Sequence, residues 1–203
     1  MGSINSDLDI INVALVQLGI RPGANRQENT RAMQFANSQY EAVRDEVVTS
    51  GNWNSATKRA TLTALDSTPT WGFSNEYQLP ADFVRFVRQD DLSQNFRIEG
   101  RKLLSNWDES NIVYIFRITE VAQMDELLKT AIAMKLAWRI ALGVKGDARQ
   151  AQLAQQMYEQ QVSLANLVDA HQAPTDVMQG TVWTDSRLAF PYTGYRAIEN
   201  ATS

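Results

Sequence analysis

The chain has no cysteine. Disulfide frameworks, zinc ribbons, iron–sulfur clusters and thiol nucleophiles are therefore excluded, whatever compartment it occupies. Histidine is almost as scarce, because His171 is the only one. A Ser-His-Asp triad or a histidine-rich metal site would have to be built on that single ring, in a segment that reads as the end of a helix. Glycines occur singly or as Gly143-x-x-Gly146, without the Lys-Ser/Thr partner that cradles phosphate. Neither a P-loop nor a dinucleotide fingerprint is present, and no cofactor or metal is expected. A long apolar run is missing too: Ile132 to Val144 is interrupted by Lys135 and Arg139 and is too short to span a bilayer. Asp7 and Asp9 at the head of the first apolar segment argue against a secretory signal. The opening Met1-Gly2-Ser3-Ile4-Asn5-Ser6 fits the short myristoylation pattern, which chance matches cheaply, and reads as an ordinary disordered start. Basic charge is in deficit: nineteen Lys and Arg face twenty-three Asp and Glu, a net charge of −4. That is the wrong sign for gripping phosphate backbones.

What remains is a folding composition. The chain has 203 residues, 44% of them apolar and 21% charged, enough for one domain, with or without an extension, that buries roughly 70% of its unfolded surface. Ser6 is placed to cap a first helix, with Asp9 returning a bond at the third helical position. Leu8, Ile11, Leu15 and Leu18 then recur at helical spacing, and Gly19 offers a left-handed exit. After the turn Arg21-Pro22-Gly23-Ala24, Asn25 and Glu28 have the spacing of a second capping box. Ala32, Phe35, Ala36, Tyr40, Val43 and Val47 line one face of the long helix that follows, which Gly51 ends.

Between Asn52 and Thr119 the period changes to short runs separated by turn residues, which predicts a β-rich insertion. Expected strands are Trp53 to Leu62, Trp71 to Gln78, Phe83 to Arg88, Phe96 to Ile98, Lys102 to Leu104 and Ile112 to Ile118. Three of the five tryptophans, Trp53, Trp71 and Trp107, fall in this block. They are expected in the core of a small sheet, ahead of a ligand-stacking platform.

Helix returns with Thr119 as cap and runs to Leu142. Apolar residues cover most of its circumference, as in a central helix buried on several sides. Gly143-Val144-Lys145-Gly146 closes it, and Asp147 caps a last helix to about His171. Leu153, Met157, Leu164 and Val168 form the apolar stripe of that helix. Gln150, Gln152, Gln155, Gln156, Gln160 and Gln161 crowd the remainder, an unusual choice for a solvated face and a candidate subunit interface, with Gln152, Gln155, Gln156 and Gln160 as its residues. After Pro174 periodicity is lost, yet Trp183, Phe190, Tyr192 and Tyr195 are many aromatics for a solvated tail, so the segment reads as one that orders on a partner.

The adjacent acids Asp90-Asp91, Asp108-Glu109 and Asp125-Glu126 do not suit a glycosidase dyad, since neighbours in a strand point to opposite faces. Turns and a helix N-terminus, where negative charge offsets the dipole, account for them. The fold class expected is α+β, mainly α: a four-helix core with a β-rich insertion between helices 2 and 3 and an extended C-terminal tail. Residues 1–51 and 119–171 make the helical core domain, 52–118 the insertion and 172–203 the tail. An amide-rich face, an aromatic tail and no catalytic constellation describe an assembly subunit.

Several short motifs then fall in a recognisable order. They are Ile11-Asn12-Val13-Ala14-Leu15 with Leu18-Gly19, then Tyr40-Glu41-Ala42-Val43-Arg44-Asp45-Glu46-Val47 followed by Trp53. Next come Trp71 with Tyr77-Gln78-Leu79-Pro80-Ala81-Asp82-Phe83, Ala133 to Ala141, Gly146-Asp147, and Tyr158-Glu159. In that order and spacing, over about residues 8 to 170, the chain resembles the tail tubular protein A family of short-tailed phages, the head-to-tail adaptor or gatekeeper. The resemblance implies a virion structural protein without enzymatic turnover, located in the tail at the head-to-tail interface. Its ring of about twelve copies would join the portal protein to the tail nozzle (tubular protein B type), with tail fibres as further partners in some phages. The helical core would make the ring, the β insertion would face the nozzle and the C-terminal segment would reach the portal. Trp183, Arg187, Phe190, Tyr192 and Tyr195 are then the candidate portal-binding residues. DNA would pass through without specific binding, helped by roughly −48 charges summed over the ring. Two other classes stand beside this one: a head-completion or stopper connector with a similar helical core, and a cell-surface carbohydrate hydrolase recruiting Asp108 and Glu109 from loops.

Overall fold

The computed structural model describes residues 4–89 and 95–172. The candidate portal residues Trp183, Arg187, Phe190, Tyr192 and Tyr195, with Asp90 and Asp91, lie outside the described residues. Described are four α-helices, α1 (Asp7–Gln17), α2 (Arg31–Ser50), α3 (Glu126–Ile140) and α4 (Ala148–Gln172). Between α2 and α3 lie six strands, β1 (Thr57–Thr63), β2 (Asn75–Gln78), β3 (Phe83–Gln89), β4 (Phe96–Glu99), β5 (Lys102–Ser105) and β6 (Glu109–Phe116). The class is α+β, with the β region inserted between the second and third helices. His171 falls in the last turn of α4.

Helix α1 starts where its capping box dictates. Ser6 Oγ accepts from the Asp9 amide, and the Asp9 carboxylate accepts from the Ser6 amide at 3.0 Å, so two otherwise orphaned donors are satisfied reciprocally. Gly19, at φ 66°, carries the chain out. The second expected box does not cap a helix. Asn25 accepts from the Gln27 amide and Glu28 from the Ala24 amide, closing a turn, and α2 begins at Arg31 under a Thr30 cap. Nor does Thr119 cap α3. Asp125 does, accepting from the Leu128 amide at 2.7 Å after a 3₁₀ turn at Val121–Gln123. A carboxylate there meets both the free amides and the positive end of the helix dipole, which a hydroxyl does less well.

The central helix is α3, packed on α1 and α2. Leu128, Ala131, Ile132, Ala133, Leu136, Ala137 and Ile140 are all shut off from solvent. It ends in a π-turn, Ala141–Lys145, where Gly143 is pressed against Phe35: a Cβ there would sit 2.4 Å from the ring. Only glycine fits that approach.

The strands form two antiparallel three-stranded sheets, ordered β1-β6-β3 and β2-β5-β4. In the first, β6 is central, pairing Ala60 with Ile112 on one side and Phe86 with Tyr114 on the other. Register shifts between Phe83 and Arg85 and between Phe86 and Arg88 bend β3. Trp53 joins helix to sheet: its ring is buried and its Nε1 donates to the Val47 carbonyl at 2.9 Å. The other two tryptophans are not core residues. Trp107 is half-buried and Trp71 is 79% exposed. The expected strand at Trp71 begins only at Asn75, because the stretch before it is a loop turned by Gly72 at φ 86°.

Candidate assembly surface

Helix α4 lies against the other helices through a narrow stripe of small side chains. Ala151, Ala154 and Ala165 are buried there with Tyr158. Ala151, Ala154, Tyr158 and Ala165 follow at steps of three, four and seven residues, so they share one side of the helix. The Tyr158 hydroxyl sits 2.8 Å from Ser50 Oγ at the end of α2. Beside it lies Lys135 of α3, whose ammonium is 4.2 Å from the Trp138 ring centre and 4.8 Å from that of Tyr158. Glu46 of α2 completes the cage, at 2.9 Å from Lys135 and also paired with Arg139. Burial pushes the Glu46 carboxyl up, but Lys135 and Arg139 together outweigh it and hold the group below its ordinary value.

This arrangement overturns the expected orientation of the helix. Leu153 and Leu164, expected on the buried stripe, are 55% and 45% exposed, and Leu167 is 58% exposed. Met157 and Val168 are half-buried at the edge. The large side chains were displaced from the contact because the contact is made by alanine. Leu153, Gln160, Leu164 and Leu167 follow each other at intervals of seven, four and three residues, which places them on one side of the helix over roughly 21 Å.

The amides sort accordingly. Gln152, Gln156 and Gln160 are exposed, whereas Gln155 is half-buried and donates to Glu159 at 2.9 Å. Gln156 and Gln160 flank the leucines, and two shallow depressions lie along the same surface. One, of about 620 Å³, is lined among others by Asp147, Arg149, Gln152 and Leu153, and the other, of about 650 Å³, by Gln156, Glu159, Gln160, Leu164 and Leu167. The structure thus brings three of the four candidate interface glutamines onto a surface with three leucines. Leu167 was missing from the sequence reading, and the alternation of Ala151, Ala154, Tyr158 and Ala165 was the signal that would have placed it outside.

A face of this kind, apolar patches among amides with few charges, can bury area and exchange hydrogen bonds with a matching face while desolvating little charge. Asp108 and Glu109 do not form such a convergence: both are exposed, and Glu109 begins β6 opposite Thr63. Among the described residues no three His, Cys, Asp or Glu side chains come close enough to hold a metal, and no helix is long and apolar enough to cross a membrane. Set against known protein families and against curated proteins, the chain matches none.

Proposed function

We propose that this chain is a structural subunit of a virion tail, a connector that assembles into a ring of about twelve copies between the portal protein and the tail nozzle. The observation that carries the reading is the solvent-facing leucine and glutamine surface of α4, where Leu153, Leu164 and Leu167 stand exposed beside Gln156 and Gln160. Isolated exposed leucines are ordinary on a monomer, but three on one side of one helix, bordered mostly by amides with Glu159 and Arg149 among them, suit contact with another copy. The order of motifs along residues 8 to 170 supports the connector class and its position at the head-to-tail interface. On this reading α4 contributes to the subunit contact, the β insertion faces the nozzle, and tail fibres are further partners. The segment holding Trp183, Arg187, Phe190, Tyr192 and Tyr195 meets the portal. The protein performs no turnover, and DNA passes through the ring without specific contacts.

Electron microscopy of the purified protein, alone and mixed with a portal protein from the same virion, tests this directly. Rings close to twelvefold, docked on the portal, are expected. A protein that stays monomeric and ignores the portal overturns the proposal, and a ring of another copy number bound beneath the head points to the stopper class.

A further inference from the structure

The second sheet carries a cavity that the assembly reading does not use. Its register aligns Glu76, Leu104 and Arg97 in one row across β2, β5 and β4, and Gln78, Lys102 and Glu99 in the next. Directly opposed residues in antiparallel strands share a face, so this face is polar, while Tyr77, Leu103 and Ile98 form the row beneath it. The loop before β2 and the polar face border a half-open cavity of about 440 Å³, lined among others by Thr68, Trp71, Phe73, Glu76, Arg97 and Lys102. That lies within the roughly 300–1,000 Å³ span of small-ligand sites.

Three features of the cavity narrow the ligand. The first is Trp71, whose indole remains 79% exposed at the rim although a core lies close by in sequence. Gly72, at φ 86°, turns the chain immediately after it, and the loop is tied at both ends. The Leu65 amide donates to the Glu76 carbonyl at 2.8 Å, and the Ser74 amide to Asn106 at 2.9 Å. The loop that presents the ring is therefore anchored at both ends.

The second feature is charge balance. Lys102 pairs with Glu76 at 2.6 Å and Arg97 with Glu99 at 3.1 Å, two cations against two carboxylates. An ionic ligand would have to compete with those pairs, whereas a neutral one meets donors and acceptors together. The third is that Ser67 and Lys102 both donate to the same oxygen of Glu76, Oε1, so the carboxylate is fixed by one atom.

We propose that this cavity binds a neutral, polyhydroxylated ligand, a short stretch of saccharide, with the apolar face of one sugar ring stacked on Trp71 and its hydroxyls on Glu76, Lys102, Arg97 and Glu99. A pyranose ring with equatorial substituents has the flat hydrocarbon face that an indole accepts and a belt of hydroxyls that paired charges satisfy from both sides. Nothing in the arrangement requires that the sugar be cleaved.

The test is to titrate the full chain with cellotriose and with chitotriose, following heat and the protection of tryptophan fluorescence from acrylamide. Saturable binding at millimolar concentration by one of them, with fewer quenchable indoles, is expected. Trp71→Ala should weaken it about tenfold and remove the protection. The double variant Arg97→Ala, Glu99→Ala should weaken it severalfold with unchanged circular dichroism melting, because both side chains are exposed. Binding that survives Trp71→Ala overturns the proposal, as does silence from both sugars up to about 20 mM. Indole protection that grows with protein concentration in the absence of sugar overturns it too, and makes Trp71 a contact between copies. These outcomes leave the ring count of the connector reading untouched.

Discussion

Helices α3 and α4 hold their leucines in opposite places. In α3 the large apolar residues point inward from nearly every side, and Leu128, Ile132, Leu136 and Ile140 are completely buried. In α4 the buried positions belong to alanine and one tyrosine, and the leucines face out. Hydrophobicity alone does not decide which side of a helix is inside. Small residues occupy the inner side of α4, and its large ones are left for something else to cover. The same residue type thus holds the fold in one helix and remains available to a partner in the other.

Substitutions that separate the two helices should differ most at Leu136. Leu136→Ala leaves a cavity in the centre of the fold and should cost about 3 kcal/mol in urea denaturation. A loss below about 1 kcal/mol would show that α3 is less central than described. Gly143→Ala comes next, at about 2 kcal/mol, because the new methyl meets the Phe35 ring rather than a flexible chain end. Pairing it with Phe35→Leu should recover part of the loss if that contact is the cause.

The pH dependence sharpens the comparison where the helices join. Glu46 has a folded-state pKa below its ordinary 4.5. Its contribution to stability is therefore present above that value and is lost as pH falls through the lower, folded one. Glu46→Gln should flatten the fall in urea midpoint between about pH 5 and pH 3. An unchanged slope would assign the acid sensitivity to other carboxylates, such as Asp82, which hydrogen bonding to Lys58 and Tyr114 also holds low. The smallest effect on stability belongs to Leu153→Ser with Leu164→Ser, within about 0.5 kcal/mol for each site. Their effect should appear instead as loss of self-association in sedimentation. Destabilisation on the scale of Leu136→Ala would mean that the outer face of α4 belongs to the core.

Much of the fold was legible because short-range chemistry and tertiary packing agreed. Ser6 with Asp9, and Gly19 after α1, are local devices that work wherever the helix sits. The expected runs at Phe83, Phe96, Lys102 and Ile112 became strands shifted by only a few residues at their ends, since most of them are rich in β-branched and aromatic residues and turn residues bound them. The misreadings share a cause. Asn25 with Glu28 carries the same capping pattern as Ser6 with Asp9, but the chain after it turns rather than coils, and the pattern does not encode that. Trp71 was assigned to the sheet core because indoles are worth burying, while Gly72 beside it carried the contrary signal of a turn. On α4 the search for large apolar residues passed over alanines that carry the contact. The glutamines were legible as a peculiarity of composition, and their grouping with exposed leucines became apparent only once the inner stripe was known.

The caged ammonium of Lys135 also bears on how the chain would respond to mechanical load. Its charge is shared among Glu46 on α2, Trp138 on its own helix and Tyr158 on α4. A pull that lifts α4 removes an aromatic wall and admits water to a cation otherwise kept almost dry, and the first fraction of an ångström is the hardest. Such a joint resists small displacements stiffly and then gives way at once. A chain fastened in this way would hold α4 in place up to a threshold load rather than release it by gradual peeling.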